Sequence, residues 1–500
     1  MATNEIGSSK NMHVSLLPNK EEATLGNLTK QFLFSRNNDI SKSNLLSHNI
    51  PQEKENKYLH KGMLFFSLLI QILLRKLAKP LKIFGSALEH FLNHDGNGEG
   101  SRNRENSEYV SLIGHMDTRT ELCKEIKHGD GRYYPSLSMM AAKLAYENHY
   151  VVKNVVSFIW KMEIVGFYNF YDEFQHKKTT QAFIMRDQNP KEDMIIVAFR
   201  GTSPFEADDW STDFDFSWLK IEGIGKIHKG FMMALGLKKC FREDDKDELG
   251  DYYGSWPKKV KQDHKRPLAY YIIREELRKM MAKNKNAKFI VTGHSLGGAL
   301  AILFPAILAL HGEVEILDRL EGIYTYGQPR VGNEKFGEFM KNKLREHNIK
   351  YYRIVYGYDM VPTVPFDNTL MTFKHFGTCI HFNSLYQGKV IEEEQQKAKL
   401  KQKGIMTEQA IEYMRLPRDL VGALVTRVLA TMCAVWQLIR GFIIGYVAGP
   451  NYREGWVLIC ARVIGILLPG TMEHFPQDYV NATRLASQDL FTNYQALPEE

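Results

Sequence analysis

The stretch from Lys288 to Phe304, KFIVTGHSLGGALAILF, constrains this chain's fold more than any other. An apolar run (Phe289 to Thr292) leads into Gly293-His294-Ser295-Leu296-Gly297, and a small-residue apolar run leads out from Gly298. That order predicts a buried strand, a tight turn and a helix, with Ser295 exposed on the strained turn between them. Glycines at 293 and 297 suit this turn, because side chains there would collide with the strand and the helix. A bare G-x-S-x-G arises often by chance. One with a strand before it, a helix after it and a further glycine is far more specific, and it marks Ser295 as a nucleophile. The competing reading is the same turn in a fold that has lost its chemistry.

The surrounding pattern fits such a turn. MIIVAFRGT (Met194 to Thr202) is a continuous apolar run ending at glycine, as a strand covered on both faces would be. SLSMMAAKLAYEN (Ser136 to Asn148) and AYYIIREELRKMM (Ala269 to Met281) have helical periodicity. EGIYTYGQPRVGN and KYYRIVYGYDMVP each contain a further strand. Alternation of this kind predicts an α/β domain with a mostly parallel central sheet. No internal repeat of solenoid period occurs.

The apolar residues outside this alternation are unevenly placed. The chain has 500 residues, 44% hydrophobic and 25% charged, which excludes wholesale disorder, collagen and coiled coil. A mean hydropathy of −0.33 excludes a polytopic membrane protein. Residues 1–55 read as a mobile polar tail. Residues 56–95 hold MLFFSLLIQILL (Met63 to Leu74) and then RKLAKPLKIFGSALEHFL, where basic residues and Pro80 predict two short apolar pieces. A twelve-residue apolar helix spans about 18 Å, short of the roughly 30 Å hydrocarbon core. This segment therefore suits a lipid surface, or a helix pair docked on the main domain. Residues 96–107 read as a linker and 108–500 as the main domain, with an apolar insert at about 405–470. In that insert Arg427, Arg440 and Arg462 leave no uncharged stretch of spanning length. EEEQQKAKLKQK (Glu392 to Lys403) reads as a solvated charged helix.

Charge and cysteine bound the partners and the compartment. A net charge of +7, from 65 basic and 58 acidic residues, is no nucleic-acid signature. The five cysteines are irregularly spaced without a CxxC, so a disulfide framework or a zinc site is not expected, and no ligand cluster calls for a metal or other cofactor. MATNEIGSSK lacks an apolar h-region, which predicts a cytosolic-side protein that is not secreted. The sequons at Asn27 and Asn481 are then chance matches.

A serine nucleophile needs a base, and the base needs an orienting carboxylate. Asp359, in YGYDMVP at a strand end, is the better-placed carboxylate, with Asp367 as its competitor. Three histidines follow: His375 and His381 in the strand-like FKHFGTCIHF, and His474 in GTMEHFPQDYVN. Loops beyond strand ends suit a general base, which favours His474. An oxyanion hole needs two N–H groups. The residue after the nucleophile, Leu296, offers one, and Thr202, directly after the Met194 strand, offers the other.

Taken in order, FRGT at Phe199, IHKGF at Ile227, VTGHSLGGALA at Val291, YGQPRVGN at Tyr326, YDMVP at Tyr358 and a late His474 with DYVN after it resemble the class 3 (fungal-type) lipases of the α/β-hydrolase fold. DTRTELCKEIKHGDGRYYPSLSMMAAKLAYEN, FYNFYDEFQ and the two apolar regions resemble the plant oil-body triacylglycerol lipases of that family. The resemblance implies a Ser295–Asp359–His474 triad with Thr202 and Leu296 as oxyanion donors. It makes His375 a structural position and gives His228 and His294 no acid–base role. It further implies hydrolysis of tri- and diacylglycerol at the monolayer of a lipid droplet, on the cytosolic side or at the endoplasmic reticulum membrane. Ser203 to Trp218, with Phe205, Trp210, Phe214 and Phe216, reads as a lid or as core. A phospholipase A1 or galactolipase on the same fold, or a catalytically silent signalling scaffold, are the alternatives. Nothing in the sequence sets the oligomeric state.

Overall fold

A computed structural model describes residues 76–94, 109–189, 192–204, 206, 217–221, 223–237, 258–260, 263–365, 372–391 and 420–492. The polar tail, the run from Met63 to Leu74, the linker, the aromatic residues of the expected lid before Trp218, Asp367 and the charged run from Glu392 lie outside these residues.

Twelve strands are described: β1 (Glu163–Asp172), β2 (Lys177–Asn189), β3 (Glu192–Phe199), β4 (Trp218–Ile221), β5 (Gly225–His228), β6 (Lys288–His294), β7 (Leu320–Tyr326), β8 (Gly332–Asn333), β9 (Lys350–Tyr356), β10 (Phe373–Lys374), β11 (Thr378–Phe382) and β12 (Gly388–Ile391). Eight form the main sheet in the order β1-β2-β3-β6-β7-β9-β11-β12. Its centre, β3-β6-β7-β9-β11, is parallel. Antiparallel pairs extend both edges. The remaining four strands make a small antiparallel sheet, β10-β8-β5-β4. The α/β expectation, with its mostly parallel sheet, is met.

The longer helices are α1 (residues 76–92), α2 (Tyr133–Leu144), α3 (Ala269–Lys283), α4 (Leu296–His311), α5 (Glu334–Glu346), α6 (Leu420–Val447), α7 (Trp456–Leu467) and α8 (Pro476–Leu485). They cover both faces of the sheet, which explains the unbroken apolar runs. In β3, Ile195, Val197 and Phe199 point into the core shared with α3, α4 and α5. Met194, Ile196 and Ala198 point the other way, into the core shared with α2 and α8. Alternation along the strand thus feeds two cores, and neither face can be polar.

The two apolar attachments differ from the sequence expectation. Residues 76–92 form one helix that runs through Pro80. It is held by its later turns: Leu88 and Leu92 pack against Leu112, Met116, Leu458 and Ala461, and the Glu89 carboxylate accepts from the Leu112 amide at 3.1 Å. The proline gives up only one N–H near the start of the described helix. In the insert, Arg427 and Arg440 do not divide the apolar run. Residues 427–447 form a helix long and apolar enough, by length and composition, to cross a membrane. Its internal arginine, Arg440, is accommodated because it turns inward and meets Asp478 of α8 at 2.7 Å.

Candidate active site

The strand-to-helix turn after β6 positions Ser295. Ser295 adopts φ 59° and ψ −131°, a backbone strain that places its side chain at the sheet edge. Its amide donates to the Tyr326 carbonyl at 2.9 Å, which ties the turn to β7. A Cβ on Gly293 would sit 2.2 Å from the Gly297 carbonyl carbon, and one on Gly297 would sit 2.3 Å from the Phe199 carbonyl oxygen. The close approach expected at the turn is therefore real at both glycines.

His474 ends a short 3₁₀ turn, Met472–His474, that carries the chain from α7 towards α8. Its Nε2 lies 2.8 Å from Ser295 Oγ and its Nδ1 lies 2.8 Å from Asp359 Oδ2. A carboxylate accepts only, so Nδ1 carries the hydrogen and Nε2 is left to accept from the serine. Asp359 follows β9 and receives two further donors: the Val361 amide at 2.9 Å on Oδ1 and the Tyr479 hydroxyl at 2.5 Å on Oδ2. The three expected residues, far apart in sequence, thus form one chain of hydrogen bonds, buried to nine-tenths or more.

The other expected residues separate cleanly. The Pro362 carbonyl, 2.7 Å from His375 Nε2, can only accept, so His375 donates there. His381 does the same to the Gly357 carbonyl at 3.0 Å. Burial holds both below the ordinary histidine value. Neither reaches Ser295. His228 caps the helix after β5 through Nδ1, and burial depresses it to about 3. Thr202 is buried on the loop after β3, one residue beyond Gly201. A Cβ on Gly201 would lie 3.0 Å from Ser295 Cβ, so this loop runs directly beside Ser295. Leu296 is the first residue of α4. Trp218 lies in β4, with Lys226 Nζ over its ring at 4.3 Å and Phe373 edge-on to it.

His294 stands behind His474. Its Nε2 donates to the His474 carbonyl at 2.7 Å, so its Nδ1 accepts from the Tyr146 hydroxyl at 2.8 Å. Burial, and then the neighbouring His474, keep its pKa well below the ordinary value, which fixes the neutral form that this relay needs.

A second network beneath the histidine turn had no sequence signal that pairing could be read from. Arg462 of α7 grips Glu454 through two bonds of 2.6 Å and reaches Asp478 at 3.1 Å. Arg440 of α6 bonds Asp478, the Ser384 carbonyl at 2.6 Å and the Tyr356 hydroxyl. Tyr386 donates to Asp478 at 2.6 Å and receives from Asn481 at 2.8 Å. Asn481 is fully buried, which excludes glycosylation there. Gln437 of α6 donates to Glu473 at 3.2 Å, and the Gly470 amide donates to the same carboxyl at 3.0 Å. The insert is thereby bonded to the residue next to His474.

The arrangement suits nucleophilic acyl transfer: a serine, a base with its proton fixed on the far nitrogen, and a carboxylate to hold the resulting imidazolium. Among the described residues no group of three or more His, Cys, Asp or Glu could hold a metal. The described cysteines, Cys123, Cys379, Cys433 and Cys460, are free thiols.

The profile of the family described as Lipase (class 3) matches residues 196–369. The chain is 38% identical over 499 residues to the triacylglycerol lipase OBL1 of Nicotiana tabacum, covering 85% of this chain and 83% of that one. It is 36% identical over 474 residues to the triacylglycerol lipase OBL1 of Arabidopsis thaliana, covering 87% and 86%. Against the solved structure of the Rhizomucor miehei triacylglyceride lipase, the TM-score is 0.35 at 22% identity, covering 50% of this chain and 78% of that one.

Proposed function

This chain belongs to the class 3 lipase family, and on that premise we propose that it is a triacylglycerol lipase working at the cytosolic surface of lipid droplets. The observation that carries the reading is the 2.8 Å contact of Ser295 Oγ with His474 Nε2, continued at 2.8 Å to Asp359.

In this reading Ser295 attacks an ester carbonyl of tri- or diacylglycerol. His474 Nε2 takes the serine proton and returns it to the departing glycerol oxygen. Asp359 holds the imidazolium, and Tyr479 holds Asp359. The amides of Thr202 and Leu296 receive the developing oxyanion; one such donor typically contributes about 10²–10³ in rate. Water, activated by the same histidine, then cleaves the acyl-enzyme and releases a fatty acid. Residues 108–500 act as one lipase domain. The segment at 56–95 and the insert at about 405–470 supply apolar contact with the droplet monolayer, and with the endoplasmic reticulum membrane. Exposed apolar side chains such as Ile83 and Phe91 on α1 support that role.

The test is an activity panel on emulsified tri-, di- and monoacylglycerol, phosphatidylcholine and galactolipid. Preferential release of fatty acid from the acylglycerols is expected. Preference for phosphatidylcholine or galactolipid would replace the substrate assignment, and no hydrolysis of any ester would leave a scaffold.

A further inference from the structure

Helices α6 and α7 are built inside out. The exposed side chains of α6 include Met432, Val435, Trp436, Ile439, Phe442 and Tyr446, a stripe repeating every three or four residues. The opposite stripe, with Ala430, Ala434, Gln437, Arg440 and Ile444, is buried. On α7 Val463, Ile464 and Leu467 face outward, while Arg462 is buried. A helix on the surface of a water-soluble domain has the reverse polarity. Here the only charged side chains between residues 428 and 447 and along α7 are Arg440 and Arg462, and both point inward. They meet Asp478 and Glu454, two cations with two anions.

We propose that the outward faces of α6 and α7 form the surface on which this protein sits in the acyl-chain layer of a lipid monolayer. The pair lies along that layer and does not cross it. This rests on the reading above that the substrate is met at a lipid surface, and it names the helix faces of the insert that enter it and how they lie.

Three observations favour hydrocarbon over a protein partner. A protein interface of this length would carry polar groups, about one hydrogen bond for each 100–200 Å². Between Val428 and Val447 the described outward stripe of α6 offers only the Trp436 indole and the Tyr446 hydroxyl, the tips of side chains that settle where oil meets water. Next, the two charges carried between Val428 and Val447 and along α7, Arg440 and Arg462, are already matched on the protein side, and the exposed Arg427 stands before this run. Finally, the buried stripe of α6 repeats from Ala430 to Ile444 and is tied through Gln437 and Arg440 to the domain. The helix therefore exposes one side only, as a segment lying in an interface does.

The surface also ends beside the turn that carries His474. α7 leads through Gly470 into the turn that carries His474. Leu467 and Leu468 are exposed at its end, and so is Met360, whose amide donates to the Gly470 carbonyl at 3.4 Å directly after Asp359. Immersing α6 and α7 brings the triad to the boundary from which an acyl chain must enter.

The test uses the full chain and droplets of triacylglycerol coated with phosphatidylcholine. Flotation is compared for the wild type, Ser295→Ala, the double variant Ile439→Asp/Phe442→Asp, and Val314→Asp, an exposed change on the short helix after α4. The wild type, Ser295→Ala and Val314→Asp should float. The double variant should float at least tenfold less while keeping its thermal midpoint within about 2 °C, because both positions are exposed. Quenching of tryptophan fluorescence by brominated acyl chains should fall in Trp436→Phe and Trp456→Phe, which reads depth without relying on the double variant. Wild-type flotation by the folded double variant, or quenching unaffected by both tryptophan changes, would overturn the proposal. Flotation unchanged together with loss of a dimer would assign the face to a second copy. A wild type that floats and depends on this face but releases no fatty acid would leave the docking surface standing and remove the triacylglycerol reading instead.

Discussion

Tyr479 and His474 meet on a single oxygen: the tyrosine hydroxyl and the histidine Nδ1–H both donate to Asp359 Oδ2, at 2.5 and 2.8 Å. The tyrosine lies one turn of chain beyond the histidine, on α8, so the helix after the catalytic turn also aims the carboxylate.

Tyr479→Phe removes this shared donor without emptying the site. The expected result is a fall in kcat of about fivefold, the rate equivalent of one net hydrogen bond near 1 kcal/mol, with KM little changed. Steady-state kinetics on a soluble ester check it.

Asp478 sits between Arg440 and Arg462. Burial alone would raise its carboxyl, but the two guanidinium groups hold it below the ordinary value. Asp478→Asn leaves two buried cations against Glu454 alone. Losing one partner of a buried ion pair typically costs about 3–5 kcal/mol. Thermal or urea unfolding should show a loss of that order, with α6 and α7 becoming more open to protease than the sheet.

Glu473 supplies a pH dependence. Burial, with the charges of Asp478 and Asp359 adding to it, pushes its carboxyl up to about 7 from an ordinary 4.5. The folded chain therefore binds this proton more tightly than the unfolded chain. The stability it contributes is complete below about 4.5 and is lost as pH rises through 7. Asp172, which burial pushes up to about 6, acts with the same sign. The comparison with Glu473→Gln isolates one from the other. Melting curves from pH 5 to 8 should fall less steeply with rising pH in the variant than in the wild type. Parallel curves would show that Glu473 does not titrate in this range.

What the sequence made legible, and what it did not, follows from how far each signal reaches. Ser295 and its strand and helix are local, and the close approach of Gly293 to Gly297 is written in five residues. The strands at Met194 and Phe289 are equally local, since both of their faces are buried. Asp359 and His474 were favoured by their places beyond strand ends and assigned by family resemblance; their meeting at Ser295 is tertiary. Arg440 reads as an interruption of an apolar run until Asp478, on a different helix, is seen to receive it. Tyr479 and Tyr146 carry no motif of their own; only the fold brings them to Asp359 and His294. Pro80 marks a break in sequence terms, yet packing by Leu88 and Leu92 carries the helix through it.

The most direct measurement is fatty-acid release from emulsified triacylglycerol by the wild type and by Ser295→Ala at equal protein. Release by the wild type, reduced about 10⁴-fold or more in the variant, is the expected result, since removing a nucleophile leaves only binding and oxyanion contributions. Equal release by both proteins would contradict Ser295 as the nucleophile, and with it the acyl-enzyme mechanism.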